Sequence, residues 1–172
     1  MSRVKTSIEI AAPVGLAFRY VADYRHALDW MTEFSEFVPL SVHAFGLGAR
    51  VRATGHLFGI RASATLEIVE FRENERIVSV TDGFIQSRST WSFAETGTGT
   101  LVGFAGDYDF AKMPVPSFAE KLVLREVEER VRLSLGQLKK LVEAVWQASE
   151  SAQDSSPNTS NSEKTTSDGN GA

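Results

Sequence analysis

Residues 117–147 read SFAEKLVLREVEERVRLSLGQLKKLVEAVWQ. Leu124, Val127, Val131, Leu135, Leu138, Leu141, Val142 and Val145 recur at three- and four-residue steps, so one apolar stripe runs along the stretch. Glu126 and Arg130, like Glu128 and Arg132, form i,i+4 pairs on the wet side. Ser117, with Glu120 three residues on, makes a capping box and sets the expected start. A helix of ~30 residues spans ~45 Å. That is too long for one pair of strands to cover. The stripe requires a wide sheet, and the sheet must be found upstream.

It is there. Val4, Thr6, Ile8 and Ile10 alternate with Lys5, Ser7 and Glu9, the period of a strand with one buried face. Pro13 suits the first turn of a helix, and Leu16, Ala17, Tyr20 and Val21 fall on one helical stripe ending near Asp23. Phe34 to Val42 is apolar but carries Pro39, which marks an edge or bulged strand. Gly46 and Gly48 make a turn, and residues 50–54 alternate again. Ile60, Ala62, Ala64, Leu66 and Ile68 give the clearest alternation in the chain. Phe58-Gly59, residues 72–75 and Thr96-Gly97-Thr98-Gly99 read as turns, and Asp82-Gly83 as a hairpin signal. Ile85, Ser87, Ser89, Trp91 and Phe93 share one strand face; Val102, Phe104, Gly106, Tyr108 and Phe110 share another. Consecutive strands with short turns imply an antiparallel meander, and the long helix is what must cover one sheet face. The class is α+β.

Residues 150–172, ESAQDSSPNTSNSEKTTSDGNGA, hold no aromatic and no large aliphatic residue. Such a segment cannot bury enough apolar surface to offset its ordering entropy, so a disordered polar tail is expected after one domain at 1–149. A net charge of −4 speaks against a general nucleic-acid binder. No cysteine means no disulfide and no thiolate chemistry. No apolar run approaches the ~20 residues of a membrane-spanning helix, and MSRVKTSIEIAA lacks the apolar core of a signal peptide. A cytoplasmic protein is expected.

IEIAAP at the start, the FRYVAD…DW corner, GLGARVRATGH, ATLEIVEF, STWSF followed by GTGT, and the terminal LGQLKKLVEA occur in an order that resembles the START-like superfamily, also called Bet v 1-like or SRPBCC. The resemblance covers about residues 3–147 and is nearest the polyketide cyclase/dehydrase-like bacterial proteins. It implies a helix-grip fold: a curved antiparallel sheet of about seven strands around the C-terminal helix, with two short helices after the first strand. It also implies an apolar cavity between sheet and helix that binds lipids, polyketides or similar molecules. Many members have a serine before the first proline; here Ala12 offers no capping hydroxyl. The crowded stretch DYRHALDWM (23–31) becomes a corner between two short helices, with Asp23 capping and Trp30 at the cavity rim.

Single residues point the same way. His26 beside Asp23 and Asp29 has the makings of a general base, but an exposed histidine at a helix start explains it better. His43 and His56 read as surface residues, and no spacing suits a metal. Asp107 and Asp109 point away from Tyr108, so paired-carboxylate chemistry is not expected. Ser87 and Ser89 lack a Gly-x-Ser-x-Gly setting for nucleophilic chemistry, and Gly46-x-Gly48 lacks the context of a phosphate loop. Arg61 and Arg88 should face out. The residues expected to bound a ligand are Trp30, Ala62, Ala64, Ser87, Ser89, Trp91, Phe104, Tyr108, Met113 and Leu135, with Met113 and Pro114 gating the opening.

The expected function is therefore binding of a small hydrophobic molecule, with no cofactor and no metal. The alternatives are a polyketide cyclase or dehydratase using Tyr108 or His26 as acid or base, and a module that offers its sheet edge or the Arg50/Arg52 strand to a partner protein.

Overall fold

The computed structural model describes residues 2–43, 45–57, 59–83, 85–112, 116 and 119–155. Strand β1 (Ser2–Ile10) leads into helix α1 (Val14–Ala22), a single 3-10 turn (Tyr24–His26) and helix α2 (Ala27–Trp30). Then follow β2 (Phe34–Pro39), β3 (Arg50–Leu57), β4 (Ile60–Arg72), β5 (Arg76–Gly83), β6 (Gln86–Glu95), β7 (Thr100–Asp109) and the long helix α3 (Glu120–Asp154). The seven strands form one antiparallel sheet in the order β1-β7-β6-β5-β4-β3-β2, so β2 to β7 are a meander and β1 closes onto β7. This is the expected α+β helix-grip architecture.

The sheet curves where its ladder is interrupted. Register shifts at Phe34/Glu36 in β2 and Ile68/Glu70 in β4 insert one extra residue each, which bends a strand. Pro39 ends β2, an edge strand, where a missing N–H costs no ladder bond. Asn74 takes a left-handed conformation, φ 61°, in the β4–β5 turn, a position that asparagine tolerates. Asp82 and Gly83 open the connection of the β5–β6 hairpin, whose ladder ends at Thr81 and Ser87. They remain in β5, paired with Thr65 and Ala64, and the chain reverses after them.

Helix α3 contributes Val131, Leu135, Leu138 and Val142 to the core, joined by Val4, Ile10, Phe18, Trp30, Trp91, Phe93 and Phe104. Its backbone comes nearest β1, α2 and α1. The gap to the middle of the sheet is bridged by large side chains: Trp30 meets Trp91 edge-on at 5.5 Å, and Trp91 meets Phe104 at 4.7 Å. Phe18 of α1, absent from the expected stripe, sits between Phe71 and Phe93 at 5.3 and 5.1 Å.

Polar clamps hold the helix to β1. The Glu143 carboxylate accepts the Ala11 N–H at 2.8 Å, and Lys139 Nζ donates to the Glu9 carbonyl at 2.8 Å. With no hydroxyl at Ala12, α1 has no side-chain cap; the buried Thr100 hydroxyl instead donates to the Ala12 carbonyl at 2.8 Å. Both ends of α3 differ from expectation. It starts at Glu120 with Ala119 at the N-cap position, not at Ser117, which lies outside the described residues. It ends at Asp154, beyond Gln147 and inside the segment expected to be disordered. Among the described residues no helix is long and apolar enough to cross a membrane.

Candidate functional site

Period-two alternation brings the inner faces of β4 to β7 together in rows. Tyr108 is level with Ser87, Thr81 and Leu66; Gly106 is level with Ser89, Ser79 and Ile68; Phe104 is level with Trp91 and Ile77. The middle of the concave face is thus a band of hydroxyls between an aromatic row and the small residues Ala53, Ala64 and Gly83. Gly106 belongs to the design of this band. A Cβ there would lie 2.7–2.9 Å from the Tyr108 ring and hydroxyl, so glycine is what lets the ring fold back over its own strand. The sequence does not announce this use of Gly106.

Two side chains complete the band from the other layer. Glu33 follows α2, and Ser134 stands on α3 between Val131 and Leu138. The Ser134 hydroxyl donates to the Glu33 carboxylate at 2.7 Å and accepts the Thr32 N–H at 3.3 Å. Burial pushes the Glu33 carboxyl above its ordinary range; the Ser134 bond and the charge of Arg130 only partly oppose this. Burial also pushes the Tyr108 phenol up, and the nearby Glu33 charge adds to it, while the adjoining Ser89 hydroxyl works the other way. Glu33 and Tyr108 therefore lie within electrostatic reach across the cleft. Neither Glu33 nor Ser134 was among the expected site residues. Ser134 left a readable signal, a lone hydroxyl on an apolar stripe; Glu33, in a turn, left none.

The expected site residues divide into groups. Trp30 is deeper than the rim: it is 1 % exposed, and its indole N–H donates to the Tyr20 carbonyl at 3.3 Å. Trp91, Phe104 and Leu135 are core. Ala62, Ala64, Ser87, Ser89 and Tyr108 are half-buried on the concave face. Ser87 shares a hydrogen bond with Thr81, the neighbour that satisfies it. Met113 and Pro114 lie outside the described residues. A cavity of about 60 Å³ is lined by Trp30, Trp91, Ser79, Ile68, Leu66 and residues of the α1–α2 corner. That is well under the ~150 Å³ of a cavity that holds a benzene. A wider, open recess of about 270 Å³ lies at the far end of the sheet, between Ala12, Thr96, Thr98 and Trp146, and contains none of the expected residues.

The corner at 23–31 is structural. The Asp23 carboxylate accepts the Arg25 backbone N–H at 3.0 Å and is gripped by the Arg25 guanidinium. Burial alone would raise its proton affinity, but Arg25 outweighs burial and holds it below the usual range. His26 stacks on Tyr20 at 4.4 Å and pairs with Asp29 at 3.6 Å. His56 and Arg61 are exposed, and Asp107 pairs with Arg3 on the outer face at 3.5 Å. No cluster of metal-ligating side chains occurs among the described residues.

Residues 1–143 match the family model described as polyketide cyclase / dehydrase and lipid transport. No curated protein matches the chain. A protein from Thermus thermophilus superposes with a TM-score of 0.72 at 23% identity, covering 84% of this chain and 99% of its own. A START superfamily protein from Mycobacterium smegmatis gives 0.67 at 20% identity, covering 81% and 98%. The Zhui aromatase/cyclase from Streptomyces gives 0.72 at 15%, covering 83% and 93%. At such identities these structures establish the shared fold. With a family match over most of its length and a seven-stranded sheet gripping its last helix, the chain belongs to the polyketide cyclase/dehydrase and lipid transport family.

Proposed function

We propose that the domain binds a small hydrophobic molecule in the cleft between the concave sheet face and α3. One observation carries this reading. Ala62, Ala64, Ser87, Ser89 and Tyr108 all turn inward, yet remain half-buried, in a molecule whose neighbouring inner residues Trp91, Phe104 and Leu135 are sealed. Small inward residues that are not covered mark space left by the curved sheet. The small cavity beside the two tryptophans is too small for a lipid. A ligand would lie over the half-buried band and place an apolar end toward that cavity. Pockets of this composition, mostly apolar with few convergent polar groups, suit organic molecules. The family match supports the same class of ligand.

Native mass spectrometry of freshly purified protein, together with uptake of the neutral dye N-phenyl-1-naphthylamine, tests the proposal. Saturable dye binding, or a co-purified small molecule, is expected. A bare mass with no dye uptake would refute it.

A second reading is favoured by the Glu33–Tyr108 pair. A carboxyl whose hold on its proton is strengthened by burial, within reach of a phenol, can act as an acid toward a carbonyl or a leaving hydroxyl. This is the cyclase or dehydratase alternative, with Glu33 beside Tyr108 and without His26. Turnover of a cyclisable poly-carbonyl substrate, abolished in Glu33→Gln, would establish it; binding without turnover leaves the domain a carrier.

A further inference from the structure

The cleft has a polar end of unusual charge composition. Glu33 is half-buried, and the Ser134 hydroxyl donates to it; its charge reaches the Tyr108 phenol, which has the Ser89 hydroxyl beside it. Among the described residues Arg130 is the cation whose charge acts on it, and every lysine and arginine other than Arg130 and Lys139 is exposed to solvent. Arg130 lies close enough for its charge to reach Glu33, but its guanidinium Nε donates to Glu126 at 2.7 Å. Lys139 is engaged by Glu143 and the Glu9 carbonyl. Outside the described residues the sequence holds one cationic side chain, Lys164 in the C-terminal tail; residues 113–118 carry no charge.

We propose that this end of the cleft selects uncharged molecules bearing a hydroxyl or carbonyl oxygen, and turns away those bearing a carboxylate. The claim rests on the ligand-binding reading above and adds the chemistry of the ligand's polar end. A ligand hydroxyl donates to the Glu33 carboxylate and accepts from Ser89 or Tyr108. A ligand carbonyl accepts from Ser134, Ser89 or Tyr108. A carboxylate in the same place gives up its water shell beside a like charge, and the cation within reach, Arg130, is already engaged by Glu126. The ligand class is thus a neutral, oxygenated apolar molecule, an alcohol, phenol or ketone, and not a free fatty acid.

The test uses three probes of one shape: naphthalene, 2-naphthol and 2-naphthoate. Each is titrated at mildly alkaline pH against N-phenyl-1-naphthylamine bound to the full chain. 2-Naphthol should displace the dye about tenfold or more better than 2-naphthoate, and better than naphthalene. Glu33→Gln should narrow the gap by improving 2-naphthoate. Tyr108→Phe, which keeps the ring over Gly106, should weaken 2-naphthol and spare naphthalene. If 2-naphthoate competes as well as 2-naphthol, or if naphthalene matches 2-naphthol, the polar selection is wrong while the ligand-binding reading stands. If neither dye nor naphthalene binds, both fall. A preference for 2-naphthol that survives unchanged in both variants would also overturn the assignment.

Discussion

Glu33 is the residue whose titration the fold most visibly controls. Its proton is held above the ordinary carboxylate value of 4.5, chiefly by burial. A group whose affinity for a proton is raised on folding gives its full stability below the unfolded value and loses it as pH rises through the folded value. Glu33→Gln keeps an acceptor for Ser134 and does not titrate. The variant should therefore gain on the wild type as pH rises from acidic to neutral, read as a growing difference between urea midpoints. A difference that is flat with pH would mean that Glu33 titrates alike in folded and unfolded chains. At this scale the sequence was legible wherever a residue stood in a strand. Period two alone put Tyr108, Ser89, Trp91 and Phe104 on the inner face, and Asp107 and His56 outside. It was silent on Glu33, because a turn residue has no period and its burial is decided by what packs over it, here Ser134 from a helix 101 positions away.

Between elements, the binding of α3 to β1 rests on two kinds of contact that separate experimentally. Leu138 is fully buried. Leu138→Ala should cost about 2–5 kcal/mol, the range for a truncated core leucine. A cost under ~0.5 kcal/mol would show that the helix is not gripped there. Glu143 is the polar contact. Its bond from the Ala11 N–H, then Lys139, holds its carboxyl below the usual range. The sign is opposite to that of Glu33: this stability is present above the unfolded value and is lost as pH falls through the folded one. Glu143→Ala should cost about 1 kcal/mol near neutral pH, and the difference should shrink in acid. Strand order and the helix were readable from alternation and from the long stripe, but the end of α3 was not. Residues 148–154 add no large aliphatic side chain, yet Ala, Glu and Gln propagate a helix that packing has already nucleated. Truncation after Asp154 should leave the melting temperature nearly unchanged; a fall of many degrees would mean that the tail docks on the domain. Asp82-Gly83 signalled the β5–β6 hairpin correctly, since that ladder ends at Thr81 and Ser87, but not that both residues keep pairing with β4 on the other side.

The molecule as a whole poses one question, whether the concave face encloses a packed core or leaves room. Its curvature puts α3 close to β1 and away from the centre of the sheet. Two tryptophans and Phe104 fill that distance on one side. On the other side the row Ala53, Ala64, Gly83 has almost no side-chain volume, and a Cβ on Gly83 would already press on Ala64 at 2.9 Å. Small residues in register across three strands leave the space above them for something else. Ala64→Phe projects a ring into that space, and Ser89→Leu does so two rows away. Overpacking a filled core costs ~1–3 kcal/mol, but filling an empty cleft should cost less than ~1 kcal/mol. Both variants should melt close to the wild type and lose uptake of N-phenyl-1-naphthylamine. Strong destabilisation by both, with no dye bound by the wild type, would mean that the rows close on one another. The concave face would then be plain core, and function would have to be sought on the outer surface or at the open edge of β2.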